Sequence, residues 1–238
     1  MFWKKARKKY GRITAADKDI QCFQELMPEF QTEGYQGITG WLEDIGHRWI
    51  ARRLGKVGPI LEIGAGTGRF SLFYSGDSES YFQSEYLLNN FRSGTFHRFN
   101  GRRSCCNARF LPFQDLTFQT VISIYNLEHI EDLQTVCREV HRVLKPGGVF
   151  LVALPCEGGL AWNLGRELTT RPAFQKKYGI NYDKIIAYEH VWDFPGVFEQ
   201  IRESQLFHIT KCQLFPFLIP CHHLNLVACI ECSVEKSI

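Results

Sequence analysis

Three alternating glycines, Gly64, Gly66 and Gly68, follow the acid Glu62 in the run Leu61-Glu62-Ile63-Gly64-Ala65-Gly66-Thr67-Gly68-Arg69. Residues without a Cβ at this spacing let the chain turn sharply and let a ligand approach the main chain, and nucleotide-type ligands commonly bind such turns. Two familiar uses are excluded by what comes next. A dinucleotide fingerprint needs its third glycine at position 69, which is Arg, and a phosphate loop needs a Gly-Lys-Ser/Thr that is missing here. Two histidines offer proton transfer near neutral pH. His129 ends Asn126-Leu127-Glu128-His129, and His190 sits in Tyr188-Glu189-His190-Val191-Trp192-Asp193, whose acids and Trp192 could also hold a polar ring. Cys229-x-x-Cys232, with Cys212, Cys221, His222 and His223 nearby, has the residue types of a zinc site. That run reads as a strand, where residues three apart face opposite ways, so no metal is expected.

The elements that must position these residues are readable from periodicity. Pro59-Ile60-Leu61-Glu62-Ile63 is predicted as a short strand running into the glycines, with a helix restarting over residues 69–74. Tyr81-Phe82-Gln83-Ser84 reads as a strand ending at Glu85, and Thr120-Val121-Ile122-Ser123-Ile124-Tyr125 as one covered on both faces. Leu133, Val136, Cys137, Val140, Val143 and Leu144 recur at helical spacing, with Glu131 and Asp132 at the end that favours acids. Lys145-Pro146-Gly147-Gly148 should stop that helix before the strand Val149-Phe150-Leu151-Val152-Ala153-Leu154. Such alternation implies a mostly parallel sheet with right-handed crossovers. Residues 208–218 and 224–234 are strand-like runs joined by a link too short for a crossover helix, so they pair antiparallel. Residues 17–54 read as two helices interrupted at Pro28, Gly34, Gly37 and Gly40. Residues 156–194, rich in Gly, aromatic and charged residues, suit a substrate lid.

In this order the motifs resemble those of the class I S-adenosylmethionine-dependent methyltransferases, of the type 11-like kind. The acid and glycines are similar to that family's first motif, E/D-x-G-x-G-x-G. Glu85 stands where the family places an acid for the two ribose hydroxyls, and a carboxylate can accept from both. Asn107-Ala108-Arg109-Phe110-Leu111-Pro112-Phe113 is similar to G-D-A-x-x-L-P-F, with Asn107 replacing the acid that meets the adenine amine. The segment from Phe118 to His129 resembles F-D-x-V-x-S-x-x-x-L-E-H, with Gln119 replacing an acid, and Arg142-Val143-Leu144-Lys145-Pro146-Gly147-Gly148 meets R-x-L-K-P-G-G. The resemblance covers residues 59–155. It implies an α/β, Rossmann-like, seven-stranded, mostly parallel sheet with a C-terminal antiparallel hairpin, and S-adenosyl-L-methionine as cofactor. It implies a donor site of Glu62, Gly64, Ala65, Gly66, Gly68, Glu85, Tyr86, Asn107, Ala108, Tyr125 and Asn126, with Tyr35, Trp41 and His47 closing over the donor; His129 and His190, read from their chemistry and position, are the catalytic candidates.

Composition bounds the rest. A chain of 238 residues, 45% hydrophobic and 22% charged, supports one large core. The expected division is a basic arm and helices over 1–55 and a methyltransferase domain over 56–238, with the lid at 156–194. No apolar run approaches the roughly 18 residues of a membrane span, and the basic start, residues 1–10, lacks the apolar stretch of a secretory signal. A cytoplasmic location is therefore expected, although the arm, with Phe2 and Trp3, could touch anionic lipid. Nine scattered cysteines read as free thiols. Arg92, Arg98, Arg102 and Arg103 read equally as a solvated face or a nucleic-acid contact; nucleic acid is disfavoured because Tyr125-Asn126-Leu127-Glu128 replaces the family's amino-methylating N/D-P-P-Y/F. The tail over 215–226 resembles methyltransferases of surface-polysaccharide and sugar pathways, so the expected acceptor is a small-molecule or glycan hydroxyl. N- or C-methylation of another metabolite is one alternative. A catalytically silent donor-binding subunit is another, since Asn107 and Gln119 depart from the usual acids.

Overall fold

The computed structural model describes residues 13–33, 37–54, 58–91 and 101–235, together with Lys9. Apart from Lys9 the basic arm lies outside the described residues, as do Tyr35, Arg92 and Arg98. The strands are β1 (Ile60–Ile63), β2 (Tyr81–Glu85), β3 (Arg102–Cys105), β4 (Phe118–Ile124), β5 (Leu144–Pro155), β6 (His208–Phe215) and β7 (Val227–Ser233). The helices are α1 (Lys18–Glu33), α2 (Gly37–Ala51), α3 (Leu88–Phe91), α4 (Leu133–Val143), α5 (Leu160–Gly165), α6 (Arg171–Tyr178), α7 (Tyr182–Glu189) and α8 (Phe194–Glu203).

One seven-stranded sheet has the order β3-β2-β1-β4-β5-β7-β6. The first five strands are mutually parallel, and β7 runs antiparallel to both β5 and β6. This is the Rossmann-like sheet with an antiparallel tail that the sequence implies. Side chains alternate across it, so each face carries its own core. On one face Val121, Phe150, Val152 and Cys232 pack with Val136 and Val140 of α4 and Val197 of α8. On the other, Ile122, Leu151, Ala153 and Cys229 pack with Trp49 and Ile50 of α2. Cys229 and Cys232 therefore face opposite ways. α4 follows its predicted pattern: Asp132 caps it by accepting from the Thr135 N–H at 3.1 Å, and Leu133, Val136, Cys137, Val140 and Val143 are its buried stripe.

Three expectations need correction, and one strand is additional. The helix over residues 69–74 is only a 3₁₀ turn, Arg69–Leu72, because no side chain caps Gly68 and Ser75-Gly76-Asp77 turns the chain back before a helical ladder can propagate. α4 ends at Val143; Leu144 is extended and pairs with Phe118, so Lys145-Pro146-Gly147-Gly148 lies in β5, with Pro146 disfavouring helix at the residue before it. Pro28 and Gly40 do not interrupt α1 and α2. β3 was not foreseen, since an exposed edge strand reading Arg102-Arg103-Ser104-Cys105 has no apolar alternation.

The segment over 156–194 is helical. α5, a π-helical stretch (Arg166–Thr170), α6 and α7 build it. α1 packs on it, with Ile20 and Phe23 against Phe174, Tyr182 and Ile186, and Lys184 Nζ lies 3.0 Å from both Asp17 and Asp19. The two N-terminal helices thus serve different parts: α2 covers the sheet and α1 supports the insertion.

Phe150 is fully buried at the centre of the first core. Phe150→Ala is expected to lower unfolding free energy by about 3–5 kcal/mol, whereas Leu72→Ala, at a half-exposed position, should change it by less than about 0.5 kcal/mol, both read from urea denaturation.

Candidate active site

β1 continues toward β2 on one side, while its other neighbour, β4, continues toward β5, so a crevice opens beyond their C-terminal ends. There Gly64, Gly66 and Gly68 hold φ of 67°, 53° and 76°, a region that residues with a Cβ rarely enter. A Cβ on Gly64 would lie 2.1 Å from Cγ of Asn126, just past the end of β4, whose Nδ2 donates to the Ile63 carbonyl at 3.5 Å. The turn is held from β2 as well. Glu85 accepts from the Gly66 N–H through Oε2 and from the Leu87 N–H through Oε1, each at 2.8 Å, and the Ala65 N–H donates to the Ser84 carbonyl at 3.0 Å. Each Glu85 oxygen keeps a further lone pair for a ligand hydroxyl.

α2 closes one side of the crevice. Tyr125, with a φ of 50° unusual for a non-glycine residue, packs its hydroxyl 2.7 Å from where a Cβ on Gly46 would stand. Buried His47 stacks on Phe73 with ring centroids 5.2 Å apart, Arg69 pairs with Asp44 at 2.5 Å, and Trp41 is exposed.

The remaining donor-site candidates sit around this turn in different ways. Glu62 lies beneath it, inside the sheet, where its carboxylate accepts from the Tyr81 hydroxyl and, at 3.3 Å, from Gln83 Nε2. Burial pushes it up to about 7 against the pull of those two donors. Asn107 Oδ1 accepts from the Arg109 N–H at 3.0 Å, closing an Asx turn, and the Cys106 N–H donates to the Glu85 carbonyl at 3.0 Å, which brings this loop beside the end of β2. Ala108 is half-buried against the core, and Tyr86 is exposed. Gln119 lies at the far end of β4, its Nε2 donating to the Gly147 carbonyl at 3.3 Å, so its departure from an acid is remote from the crevice.

Beyond Asn126, a 3₁₀ turn (Leu127–His129) brings His129 against the end of the insertion. A carbonyl can only accept, so His129 Nδ1–H donates to the Glu189 carbonyl at 2.9 Å. The His190 ring stands edge-on to that of His129, with centroids 4.9 Å apart, and its Nδ1–H donates to the Glu157 carboxylate. Glu157 also accepts from Arg166 Nη1 at 2.9 Å. The Val191 and Trp192 N–H groups both donate to the Glu128 carbonyl, at 2.9 and 3.1 Å, fastening the insertion to the end of β4. Both histidine candidates thus meet in one cluster with Glu128, Glu157 and Arg166, all three buried. Glu157 and Arg166 were missed from sequence; the available signal was an acid three residues after the apolar run Val149–Leu154 of a central strand.

Electrostatics separates the two imidazoles. Burial drives Glu128 up to about 7. It pushes Glu157 up too, but His190 and Arg166 outweigh it and bring that carboxyl down to about 2. At His129 burial acts downward and is outweighed by Glu128, Glu189 and Glu157, so its pKa rises; at His190 burial prevails over Glu157 and lowers it. One imidazole is thus favoured as the cation and the other as the neutral ring. Two clefts of about 300 Å³ lie elsewhere and include no residue of the glycine turn or of this cluster; chemistry rather than concavity locates the site.

A glycine turn at the switch point of a parallel sheet, clamped by the acid that ends the next strand, defines a fold built to hold a nucleoside-type cofactor. Residues 61–152 match the methyltransferase domain family. The chain is 32% identical over 107 residues to the ubiquinone/menaquinone biosynthesis C-methyltransferase UbiE of Desulfotalea psychrophila, covering 42% of this chain and 44% of that protein. It is 30% identical over 195 residues to the mitochondrial arginine-hydroxylase NDUFAF5 of Danio rerio, covering 71% and 60%. The chain thus spans about half the length of these curated relatives. Among solved structures it resembles a Thermotoga maritima S-adenosylmethionine-dependent methyltransferase described as a possible histamine N-methyltransferase, with a TM-score of 0.58, 17% identity, and 90% of this chain and 99% of that one covered. The chain carries a class I S-adenosylmethionine-dependent methyltransferase domain.

The turn is expected to tolerate no side chain at its first glycine: Gly64→Ala should weaken S-adenosylmethionine binding by at least about tenfold in calorimetry, through both the Asn126 clash and the left-handed backbone. Glu62 holds a proton in the folded state between its ordinary 4.5 and about 7, so its contribution makes stability fall as pH rises across that window. Glu62→Gln should flatten that fall and raise stability at pH 8 by roughly 1–3 kcal/mol.

Proposed function

We propose that the chain methylates a hydroxyl of a small-molecule or glycan acceptor seated between the glycine turn and the His129–His190 pair. The observation that carries this reading is the hydrogen-bonded chain Arg166–Glu157–His190, set against His129 only three residues beyond the Asn126 that touches Gly64. The cofactor supplies an electrophilic methyl group on sulfur. A displacement of this kind asks the protein mainly to align the reacting atoms and to take the proton that a hydroxyl loses. Gly64, Gly66 and Glu85 would hold the donor. His190 is the base: its lowered pKa keeps it neutral, and Glu157 fixes its ring by accepting from Nδ1–H. His129, which its carboxylate neighbours favour as the cation, orients the acceptor. C-methylation is the second reading, favoured by the relative named as a C-methyltransferase, and it needs the same base to remove a proton from an activated carbon or a ring hydroxyl.

His190→Ala is expected to lower kcat by about 10²–10⁴-fold while leaving the calorimetric Kd for S-adenosylmethionine within about twofold. Equal losses in both would show that His190 only maintains the fold. A base must be unprotonated to act, so activity should rise with pH through the lowered His190 pKa, with an acid limb below 6.5. Glu157→Gln removes the carboxylate that holds this pKa up and should move the limb lower still. Mass spectrometry of the methylated product separates an O–CH₃ from a C–CH₃ bond.

A further inference from the structure

Residues 160–178 form one helical rod, since α5, the π-helical stretch and α6 join through right-handed helical backbone at Arg166 (φ −59°, ψ −46°) and Arg171 (φ −59°, ψ −54°). Residues two apart on a helix point nearly opposite ways. Arg166 turns inward to Glu157, while Leu164 and Leu168 point out, 60% and 69% exposed, in line with Leu160. The β6–β7 loop lies against the start of this rod: the Ala161 N–H donates to the His223 carbonyl at 2.8 Å, and a Cβ on Gly159 would stand 2.4 Å from the His222 carbonyl oxygen. That loop exposes Phe217, Leu218 and Leu224. Large apolar side chains exposed on two segments in direct contact differ from the scattered ones any soluble surface carries.

Charge indicates what covers the face. Within residues 158–178 the only acid is Glu167, which is paired with Arg171, whereas Lys176 and Lys177 are exposed at the far end of the rod; residues 215–226 contain no charged acid or base apart from histidine. The chain before Ile13 carries Lys4, Lys5, Arg7, Lys8, Lys9 and Arg12, with Phe2 and Trp3 among them. It joins the described structure at Ile13, which packs on the cluster formed by α1, α6 and α7. A second copy of this chain would set like charges against each other. We propose that this face docks on an anionic phospholipid bilayer, with the leucines and Phe217 in the acyl boundary and the lysines among the head groups. The contact is peripheral, because no helix among the described residues is long and apolar enough to cross a membrane. Docking does not depend on methyl transfer. It would nevertheless hold the Glu157–His190 cluster, on the inner side of the same rod, about one helix diameter, roughly 10 Å, from the lipid.

Sedimentation of the full chain with phosphatidylcholine vesicles containing about 30% phosphatidylglycerol tests this. The wild-type chain should bind them on the order of tenfold more tightly than vesicles of phosphatidylcholine alone, and less tightly as salt rises. Leu164→Asp with Leu168→Asp should weaken binding by at least about tenfold, and the loop pair Phe217→Ser with Leu218→Ser should do the same without touching any helix. The proposal is overturned if wild-type protein sediments with neither vesicle, if both pairs bind like wild type, or if light scattering shows a dimer that the leucine pair dissociates.

Discussion

Gly64 has no room for a side chain because Asn126 already fills the place a Cβ would take. That contact joins the end of β1 to the end of β4 across the switch point of the sheet, and much else follows from it. The backbone must turn left-handed at Gly64, the turn that follows leaves the Gly66 N–H pointing at Glu85, and Glu85 in turn secures β2. Asn126 fixed in this way sets where the Leu127–His129 turn begins, and hence where His129 meets the insertion. The glycine turn and the histidine cluster are thus referred to one rigid junction, which the proposed alignment-driven transfer needs.

The histidine cluster shows how buried charge is made tolerable. Glu157, Arg166 and His190 form a hydrogen-bonded chain, so the cost of taking the carboxylate and guanidinium out of water is offset by short charge-assisted bonds. Among the described residues Glu128 has no such cation beyond the neighbouring imidazole, and burial raises its carboxyl to about 7. Glu128, His129 and His190 stand close enough that the protonation of each biases the others, so the His190 limb of the pH profile carries the influence of its neighbours.

Much of this was legible in the order of residues. The strand into the glycines, the acid ending β2, the capped stripe of α4 and the antiparallel tail follow from local periodicity and turn chemistry, which act over a few residues. β3 was hidden because an edge strand exposed to water needs no apolar alternation, and the helix after Arg69 failed because a favourable periodicity cannot by itself propagate one turn. Side-chain direction was less legible. Glu62 belongs to the motif yet turns beneath the turn onto Tyr81 and Gln83, because the alternation of a four-residue strand, not the motif, decides which face a side chain takes.

What the sequence determined by itself was the class of sheet and the location of the glycine turn, since these depend on residue types at fixed short spacings; the cofactor followed from the resemblance of the ordered motifs to the class I methyltransferases. The tertiary structure alone decided that His129 and His190, far apart in the chain, stand edge-on in one cluster, that Glu157 and Arg166 complete it, and that the β6–β7 loop lies against the start of the insertion. The reason is physical: such contacts depend on the packing of long-separated segments over β4 and β5, and no local spacing encodes which of them will meet.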